Sequence, residues 1–239
     1  MEATLTVYVG IDKPGAVRNL KAVEDLNKEG LIHVTWDAPL GLHGGYIDPA
    51  GLTYYISIGS SSEDVSLGNK NYYDEQLNIK SKQEYTGYSV YAVNSSGGGR
   101  EQWQTVTAIA GPALKAPMIE SFKNCTMKSG PWITNMTNGE IGDAYCYAAT
   151  ESTVTLAQDN DGGLQTFSAT AVGKSVRSES PKVDIKNMKA PVLNFWAYLN
   201  GDGDELNISV QKDYGEFVDV RRISTAEGTK GWNRFSIDL

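Results

Sequence analysis

The fold is decided by the stretch Leu31-Ile32-His33-Val34-Thr35-Trp36-Asp37-Ala38-Pro39. Ile32, Val34 and Trp36 share one face of this stretch, which is the period-two pattern of a β-strand with one buried side. A tryptophan on that face is expected to fill a core. Ala38-Pro39 is expected to end the strand, because proline has no N–H to donate to a sheet. We therefore predict a strand over 31–36.

Short strands of the same kind recur along the whole chain. Turn residues separate them, and no window gives an amphipathic helix with capping residues. The 13 Tyr and 25 Gly also favour strands and turns over helices. The sequence therefore predicts an all-β protein, with further strands over 52–58, 88–92, 103–110, 152–156, 164–169, 192–199, 206–210 and 233–239.

The strand predicted over 192–199 has two apolar faces. Leu193, Phe195 and Ala197 share one face with Leu199, while the opposite face carries Trp196 and Tyr198. Strands that are buried on both sides have this composition. We therefore predict that this strand is central and covered on both faces.

Two modules joined by a short linker are predicted. A chain of 239 residues is long enough for two separate cores, and Gly111–Pro117 is a proline-bounded segment that should be stiff. We assign 13–111 to the first module, 112–117 to the linker and 118–239 to the second module. Residues 1–12 alternate as a strand, which we assign to a preceding module or to an artificial start. We expect a monomeric fragment of a larger protein.

Several motifs of the first module occur in a familiar order. They are Pro14, Leu20, the 34–39 run quoted above, Leu52-Thr53-Tyr54-Tyr55, and Tyr88-Ser89-Val90-Tyr91-Ala92-Val93-Asn94 followed by Gly97. Together they resemble a fibronectin type III domain, which implies a β-sandwich with Trp36 in its core. The corner tyrosine of that family is expected near Thr86, and Tyr85 is one residue away. A β-bulge would be needed to align it.

The second module carries a different series of motifs. They are Ile119-Glu120-Ser121-Phe122, Gly130-Pro131-Trp132, Asp159-Asn160-Asp161-Gly162-Gly163, Ser178-Glu179-Ser180-Pro181, Pro191-Val192-Leu193-Asn194-Phe195, and Gly231-Trp232 leading into Phe235-Ser236-Ile237-Asp238-Leu239. Their order and spacing resemble the cleaved-adhesin or choice-of-anchor J family, jelly-roll sandwiches akin to MAM domains in bacterial surface and secreted proteins. The resemblance implies an exported bacterial protein. It also implies a sandwich that is truncated at its C-terminus or closed by another segment, such as 1–10.

The charge of the chain excludes two classes of partner. With 21 Lys and Arg against 29 Asp and Glu, the formal net charge is -8. Binding to nucleic acid requires clustered basic residues that neutralise phosphates, and binding to anionic membrane surfaces requires them too. No apolar stretch reaches the roughly 18 residues that span a bilayer. We expect neither nucleic-acid binding nor membrane insertion.

Two acidic turns are candidates for a calcium site, and Ca²⁺ is the only cofactor we consider. Asp159 and Asp161 lie in one turn, and Asp202 and Asp204 lie in the other. Oxygen donors at alternate positions of a glycine-containing loop suit the hard Ca²⁺ ion. The jelly-roll resemblance adds Glu120 as a ligand from a distant segment. The same residues also fit ordinary β-turns, in which Asp bonds to its own backbone.

Four tyrosines are candidates for stacking on sugars. Tyr72 and Tyr73 lie in a segment predicted as an exposed loop, and Tyr145 and Tyr147 flank a cysteine. Tyrosine combines a flat apolar face with a polar tip, which suits recognition of wet ligands and also suits packing on a sheet.

The two cysteines, Cys125 and Cys146, leave two interpretations open. In an exported protein they can form a disulfide, which would stabilise the second module by roughly 3 kcal/mol through loop closure. Otherwise they are two buried thiols. The geometry that decides between these alternatives is not contained in the sequence.

The sequence motifs favour binding over catalysis. The chain has two histidines, His33 and His43, and neither lies in a zinc-binding pattern. No Gly-x-Ser-x-Gly nucleophile occurs. We predict a non-catalytic cell-surface or secreted region for adhesion or carbohydrate binding, with the first module as a spacer and a glycan or an extracellular host protein as partner. Two alternatives remain: an accessory region of a large secreted protease or glycosidase, or a glycosidase that uses two loop carboxylates.

Overall fold

The computed structural model describes residues 9–59, 61–79, 83–123, 133–135, 142–147, 158, 163–169, 176–199, 203–225 and 231–239. The chain divides into two compact units, Met1–Pro112 and Ala113–Leu239, with the boundary inside the segment predicted as a linker. The helices of the described residues are two three-residue 3-10 turns, Pro49–Gly51 and Arg100–Gln102. The all-β prediction is therefore confirmed. No helix in the described part of the chain has the length and apolar character needed to cross a membrane.

In the first unit, the part of the chain that the structure describes forms eight strands in two sheets. The strands are β1 (Arg18–Glu24), β2 (Leu31–Asp37), β3 (Thr53–Ile58), β4 (Val65–Gly68), β5 (Tyr72–Gln76), β6 (Glu84–Asn94), β7 (Gly97–Gly98) and β8 (Gln104–Ala110). One sheet has the antiparallel order β1-β2-β5. The other has the order β4-β3-β6, and both β7 and β8 pair with β6. The two sheets enclose one core, so the unit is a β-sandwich.

The core of the first unit is built from the alternate residues of its strands. Ile32, Val34 and Trp36 of β2 point inward, and Trp36 is only 2% exposed. The Trp36 ring meets the ring of Tyr54 edge-on, with 5.5 Å between the ring centroids. The prediction of a strand with a buried tryptophan is confirmed. Tyr88 of β6 lies fully buried in the same core cluster.

Two details of the first unit differ from the expectations. β6 pairs with β8 without a register shift from Glu84–Ala110 to Val90–Gln104, so no bulge moves Tyr85 into the expected corner position. Tyr72 and Tyr73 lie on strand β5 rather than in a loop. The loop interpretation was wrong because Asp74, Glu75 and Gln76 give β5 a polar composition, although the strand pairs with β2 along its whole length.

The described residues of the second unit form ten strands, which make antiparallel pairs and one parallel pair. The strands are β9 (Leu114–Lys115), β10 (Ile133–Asn135), β11 (Gly142–Tyr147), β12 (Leu164–Ala169), β13 (Arg177–Glu179), β14 (Val183–Asp184), β15 (Val192–Leu199), β16 (Glu205–Gln211), β17 (Phe217–Ser224) and β18 (Gly231–Asp238). The antiparallel pairs are β10–β13, β11–β12, β15–β18 and β16–β17, while β9 and β14 are parallel. The strands predicted over 164–169 and 192–199 are confirmed.

Some residues that were predicted to lie outside the two modules belong to one of the two units. Leu114–Lys115 lies in the predicted linker, yet it is strand β9 and pairs with Val183–Asp184 of the second unit. Ile11 and Asp12 are part of the first unit, because Asp12 donates its N–H to Tyr46 O at 2.8 Å. Residues 1–8 and 152–156 lie outside the described residues.

Candidate functional site

The ribbon formed by β15 and β18 has one covered face and one solvent-facing face. On the covered face, Ala197 and Ile237 are buried, and the rings of Phe195 and Phe235 stack with 5.5 Å between their centroids. On the other face, Trp196 is 47% exposed and Tyr198 is 39% exposed. The prediction that both faces of this strand are covered is therefore wrong. Alternation shows which residues share a face, but it does not show what covers that face.

The partner strand completes the solvent-facing surface. Across the ribbon, Trp232 is paired with Tyr198, and Arg234 is paired with Trp196. The rings of Tyr198 and Trp232 meet edge-on at 74°, with 5.5 Å between their centroids. Polar residues continue the same face towards the chain end, where Ser236 pairs with Asn194 and Asp238 pairs with Val192. We call this surface the aromatic face, and it consists of Val192, Asn194, Trp196, Tyr198, Trp232, Arg234, Ser236 and Asp238.

The aromatic face combines two kinds of contact. Its aromatic rings offer flat apolar area, and Asn194, Arg234 and Ser236 are exposed polar neighbours on the same side of the ribbon. Exposed apolar residues that occur singly need no explanation, whereas a cluster of large ones makes this face a candidate interaction site. The sequence named Trp196 and Tyr198 only as members of a covered strand, so the functional interpretation of these residues was missed.

The four tyrosines proposed for ligand binding are separated by the structure. Tyr72 is 50% exposed on β5, whereas Tyr73, on the opposite face of that strand, packs against the core. Burial and, next, the nearby Glu75 carboxylate raise the pKa of Tyr73. Tyr145 and Tyr147 lie on β11, opposite Thr166 and Leu164 of β12. The ligand-binding role of these four residues stays a prediction.

The cysteines and the acidic turns lie only partly within the described residues. Cys146 is on β11, opposite Gln165, but Cys125, Asp159, Asp161 and Asp202 lie outside the described residues. The disulfide therefore stays a prediction.

Of the predicted calcium ligands, Glu120 and Asp204 are described. One carboxylate oxygen of Glu120 accepts a hydrogen bond from the N–H of Phe122 at 2.6 Å, and Asp204 is exposed. Within the described ranges, no three His, Cys, Asp or Glu residues are grouped so that they could hold a metal ion. Calcium binding stays a prediction.

Asp12 organises the end of the first unit where the described chain begins. Its buried carboxylate accepts hydrogen bonds from the N–H groups of Lys13 at 2.7 Å, His43 at 2.7 Å and Gly45 at 3.0 Å, and it lies 2.8 Å from His43 Nδ1. Burial by itself raises the pKa of Asp12, but these hydrogen bonds outweigh it and bring the pKa to about 2. Asp12 is thus a structural carboxylate that stays ionised.

The loop around Asp12 admits only glycine at position 41. A Cβ atom at Gly41 would collide with the carbonyl oxygen of Gly45 and would lie 2.6 Å from Asp12 Oδ2. Asp12 and His43 are 31 residues apart, and nothing in the sequence pairs them. Beside this loop, a cavity of about 370 Å³ is lined by Arg18, Ala38, Pro39, Leu40, Gly41, Gly45, Tyr46, Ile47 and Pro49.

His33 is held between two carboxylates of the first sheet. Its Nδ1 lies 2.7 Å from Asp74 Oδ1, and its Nε2 lies 3.2 Å from Asp25 Oδ2. The hydrogen bond with Asp74 and the one with Asp25 raise the pKa of His33, against a smaller effect of burial. Hydrogen bonding to Asn27 N–H and to His33 lowers the pKa of Asp25. Because both ring nitrogens are engaged, His33 cross-links the sheet.

Two further carboxylates of the first unit are engaged in structural contacts. Arg100 makes a bidentate contact with the Asp64 carboxylate, in which Nε donates at 2.8 Å and Nη2 donates at 2.6 Å. The hydroxyl of Tyr91 donates a further hydrogen bond to Asp64 at 2.7 Å. The contact with Arg100 lowers the pKa of Asp64. Glu24 is buried and accepts the N–H groups of Gly30 at 2.7 Å and Gly111 at 2.8 Å. Such charge-assisted hydrogen bonds hold strands and loops in place.

No protein-family model matches the chain, and no curated protein matches it. The solved structures similar to it include one described as the structure of FN3tt mut, at 20% identity and a TM-score of 0.29, which covers 41% of this chain and 93% of that chain. Another is the rat CD45 extracellular region, domains d3–d4, at 16% identity and a TM-score of 0.31, covering 45% of this chain and 61% of that one.

A third similar structure is the chicken CNTN1 FN1-FN3 domains, at 12% identity and a TM-score of 0.32, covering 90% of this chain and 67% of that one. These low values assign no family and no activity to the chain. The all-β class rests on the strands described above.

Proposed function

We propose that this chain is a non-catalytic extracellular adhesion region in which the first unit is a rigid spacer and the second unit binds the ligand. The observation that carries the proposal is the aromatic face, where Trp196 and Tyr198 are exposed beside polar groups on a paired ribbon. These side chains leave part of their apolar area in water, whereas full burial of a large apolar side chain is favourable by about 1.5–3 kcal/mol, so a ligand that covers them gains from that area.

The contacts of the first unit support its role as a spacer. Each carboxylate traced above is tied to the fold: Asp12 to a loop, Glu24 to two backbone N–H groups, and Asp64 to Arg100. A general acid or base needs a carboxyl group that faces a substrate. These groups face the protein instead, which favours a mechanical role. We propose a fibronectin type III-like identity for this unit on the sequence motifs that include Trp36.

The motifs of the second unit support its proposed identity. We propose a jelly-roll module of the cleaved-adhesin or choice-of-anchor J kind, from a bacterial surface or secreted protein. Residues of two of those motifs, Pro191–Phe195 and Gly231–Leu239, lie on strands β15 and β18, which supports the proposal. We propose a glycan or a host protein as the ligand of this module and a calcium ion as the occupant of its acidic turns.

The proposal is tested by adhesion of the whole chain. Beads coated with the chain are expected to retain mammalian cells, mucin or matrix glycoproteins above the level of albumin-coated beads. The same protein is incubated with panels of oligosaccharides and peptides, and the products are followed by mass spectrometry. Retention without turnover supports the proposal. Failure to retain any of these targets, or turnover that is lost when a single Asp or Glu is replaced by Ala, contradicts it.

A further inference from the structure

The aromatic face has the chemistry of a site for an uncharged oligosaccharide, and we propose that it binds one. The inference rests on the adhesion function proposed above and names its ligand class and its site. The decisive juxtaposition is that of Trp196, Tyr198 and Trp232 with the side chains of Asn194, Arg234 and Ser236 on one side of the β15–β18 ribbon.

The apolar part of the surface is the right shape for sugar rings. Trp196 and Tyr198 are two residues apart on one strand, which places their Cα atoms about 7 Å apart. Trp232 stands edge-on to Tyr198 and limits the rotation of that ring. Rigid rings with an electron-rich face attract the C–H faces of a sugar, and they lose little side-chain entropy on binding. A ligand longer than one sugar unit can contact both Trp196 and Tyr198.

The polar part of the surface matches sugar hydroxyl groups. Asn194 supplies amide donors and an acceptor, Ser236 supplies a hydroxyl, and Arg234 supplies guanidinium donors. All three are exposed, so they keep their water until a ligand replaces it. A protein partner that buried this surface in a dry contact would have to desolvate these groups, whereas a sugar replaces their water with hydroxyl groups.

The charge of the surface favours an uncharged glycan over an anionic one. Arg234 is its cation and Asp238 is its anion, so the two formal charges cancel on the aromatic face. The whole chain carries a formal net charge of -8, which repels sulfated or sialylated glycans at a distance. An anionic ligand would need more basic residues than this face provides.

The test measures binding of the full chain to two sets of oligosaccharides. The uncharged set contains cello-, xylo-, manno-, malto- and chito-oligosaccharides, and the anionic set contains heparin fragments and sialyllactose. Binding is followed by calorimetry and by quenching of tryptophan fluorescence. We expect at least one member of the uncharged set to bind, and both Trp196→Ala and Tyr198→Ala to weaken its binding at least tenfold.

The matched control is Trp103→Ala, because Trp103 in the first unit is 48% exposed, close to the exposure of Trp196. It should bind sugar as the unaltered chain does. Melting curves of Trp196→Ala and Trp103→Ala are compared, and Asn194→Ala serves as a second probe of the face that leaves its rings intact.

Three results would overturn the inference: no binding of any uncharged member, binding of anionic members alone, or equal losses for Trp196→Ala and Trp103→Ala. The two proposals can fail separately. Bead adhesion that persists in Trp196→Ala refutes the glycan site and leaves the adhesion function standing, whereas loss of all adhesion by the unaltered chain refutes the adhesion function.

Discussion

In the first unit, Trp36 and Tyr88 fill the core, whereas in the second unit Trp196 and Tyr198 face solvent. The strands that carry them, β2 and β15, have a similar alternation of apolar residues. They differ on the second face, where β2 carries His33 and Thr35 and β15 carries its aromatic pair. A strand with two apolar faces, such as β15, therefore has more apolar surface than the core beneath it can cover. The excess is available for a ligand.

The largest effect is expected when the core aromatic is removed. Trp36→Ala leaves a cavity in the first unit and should lower its free energy of unfolding by about 3–5 kcal/mol. Trp196→Ala should cost only about 1 kcal/mol, because 47% of the Trp196 surface is already exposed and only the buried part is lost. Urea unfolding of both variants measures the difference. Equal losses for the two variants would abolish the contrast between the units.

The variant Trp36→Phe separates the contribution of ring volume at this position from that of the indole N–H, by the same urea unfolding. Trp36 Nε1 is buried and makes no hydrogen bond to the described residues. Trp36→Phe therefore removes ring volume without removing a hydrogen bond, and it should cost much less than Trp36→Ala. A loss as large as that of Trp36→Ala would mean that the indole N–H has a partner.

Calcium should act on the second unit alone. If the acidic turns hold the ion, a free concentration of one hundred times Kd stabilises the unit by about 2.7 kcal/mol. Differential scanning calorimetry should show the unfolding transition of the second unit at a higher temperature with Ca²⁺, with a gain in stability of no more than this amount. A chelator should reverse the shift. Glu120→Gln and Asp204→Asn should abolish the gain, and Asp213→Asn, in an exposed turn, should preserve it. A calcium effect on the first unit, or none at all, would refute the site.

Loss of the buried Glu24 carboxylate should destabilise the first unit by a smaller amount. Glu24→Ala leaves the buried N–H groups of Gly30 and Gly111 without this acceptor, at a cost of about 2 kcal/mol. Glu24→Gln keeps an oxygen acceptor of similar reach and should cost about half as much. Urea unfolding of both variants gives the comparison. An unchanged midpoint for Glu24→Ala would show that the two hydrogen bonds contribute nothing.

The smallest effect is the pH dependence that His33 gives to the first unit. Contacts with Asp74 and Asp25 raise the pKa of His33 above its ordinary value of 6.5. The stabilisation is therefore complete below pH 6.5 and is lost as the pH rises through the higher pKa of the folded state. Its size should be below about 1 kcal/mol, because these ion pairs are partly exposed.

Melting curves between pH 6 and pH 9 measure this dependence. The melting temperature of the first unit should fall as the pH rises, and His33→Gln should remove that slope. Asp74→Asn, which removes the carboxylate closest to His33, should reduce the slope as well. An unchanged slope in His33→Gln would assign the effect to another group.

Strands with a clear alternation of apolar residues were predictable because alternation is a local property, whereas β1, β5 and β17 were not predicted. In the run from Ile32 to Trp36, the alternate apolar residues identify the buried face of the strand. In 192–199, the apolar run gives the first and last residues of the strand. The covering of a face is not local, so the exposure of Trp196 and Tyr198 was missed. Tyr73 was predicted to lie in an exposed loop for the same reason. The polar residues next to it in the sequence do not show that its side of β5 faces the core.

The polar contacts of the first unit were beyond the reach of sequence reasoning. Asp12 meets His43, and Glu24 meets Gly111, 87 residues further along the chain. These pairs carry no motif, and their partners include backbone N–H groups, which every residue but proline possesses. Only the folded path of the chain brings them together.

The hydrogen bond between Glu24 and Gly111 has a consequence for a protein under tension. Glu24 ends β1 of one sheet, and Gly111 directly follows β8 of the other. A pull on the chain beyond Pro112 therefore loads both sheets of the sandwich at once. Peeling of β8 from β6 has to begin with rupture of a charge-assisted bond that is shielded from water. In the spacer role proposed for this unit, the buried Glu24 carboxylate would act as a mechanical clamp.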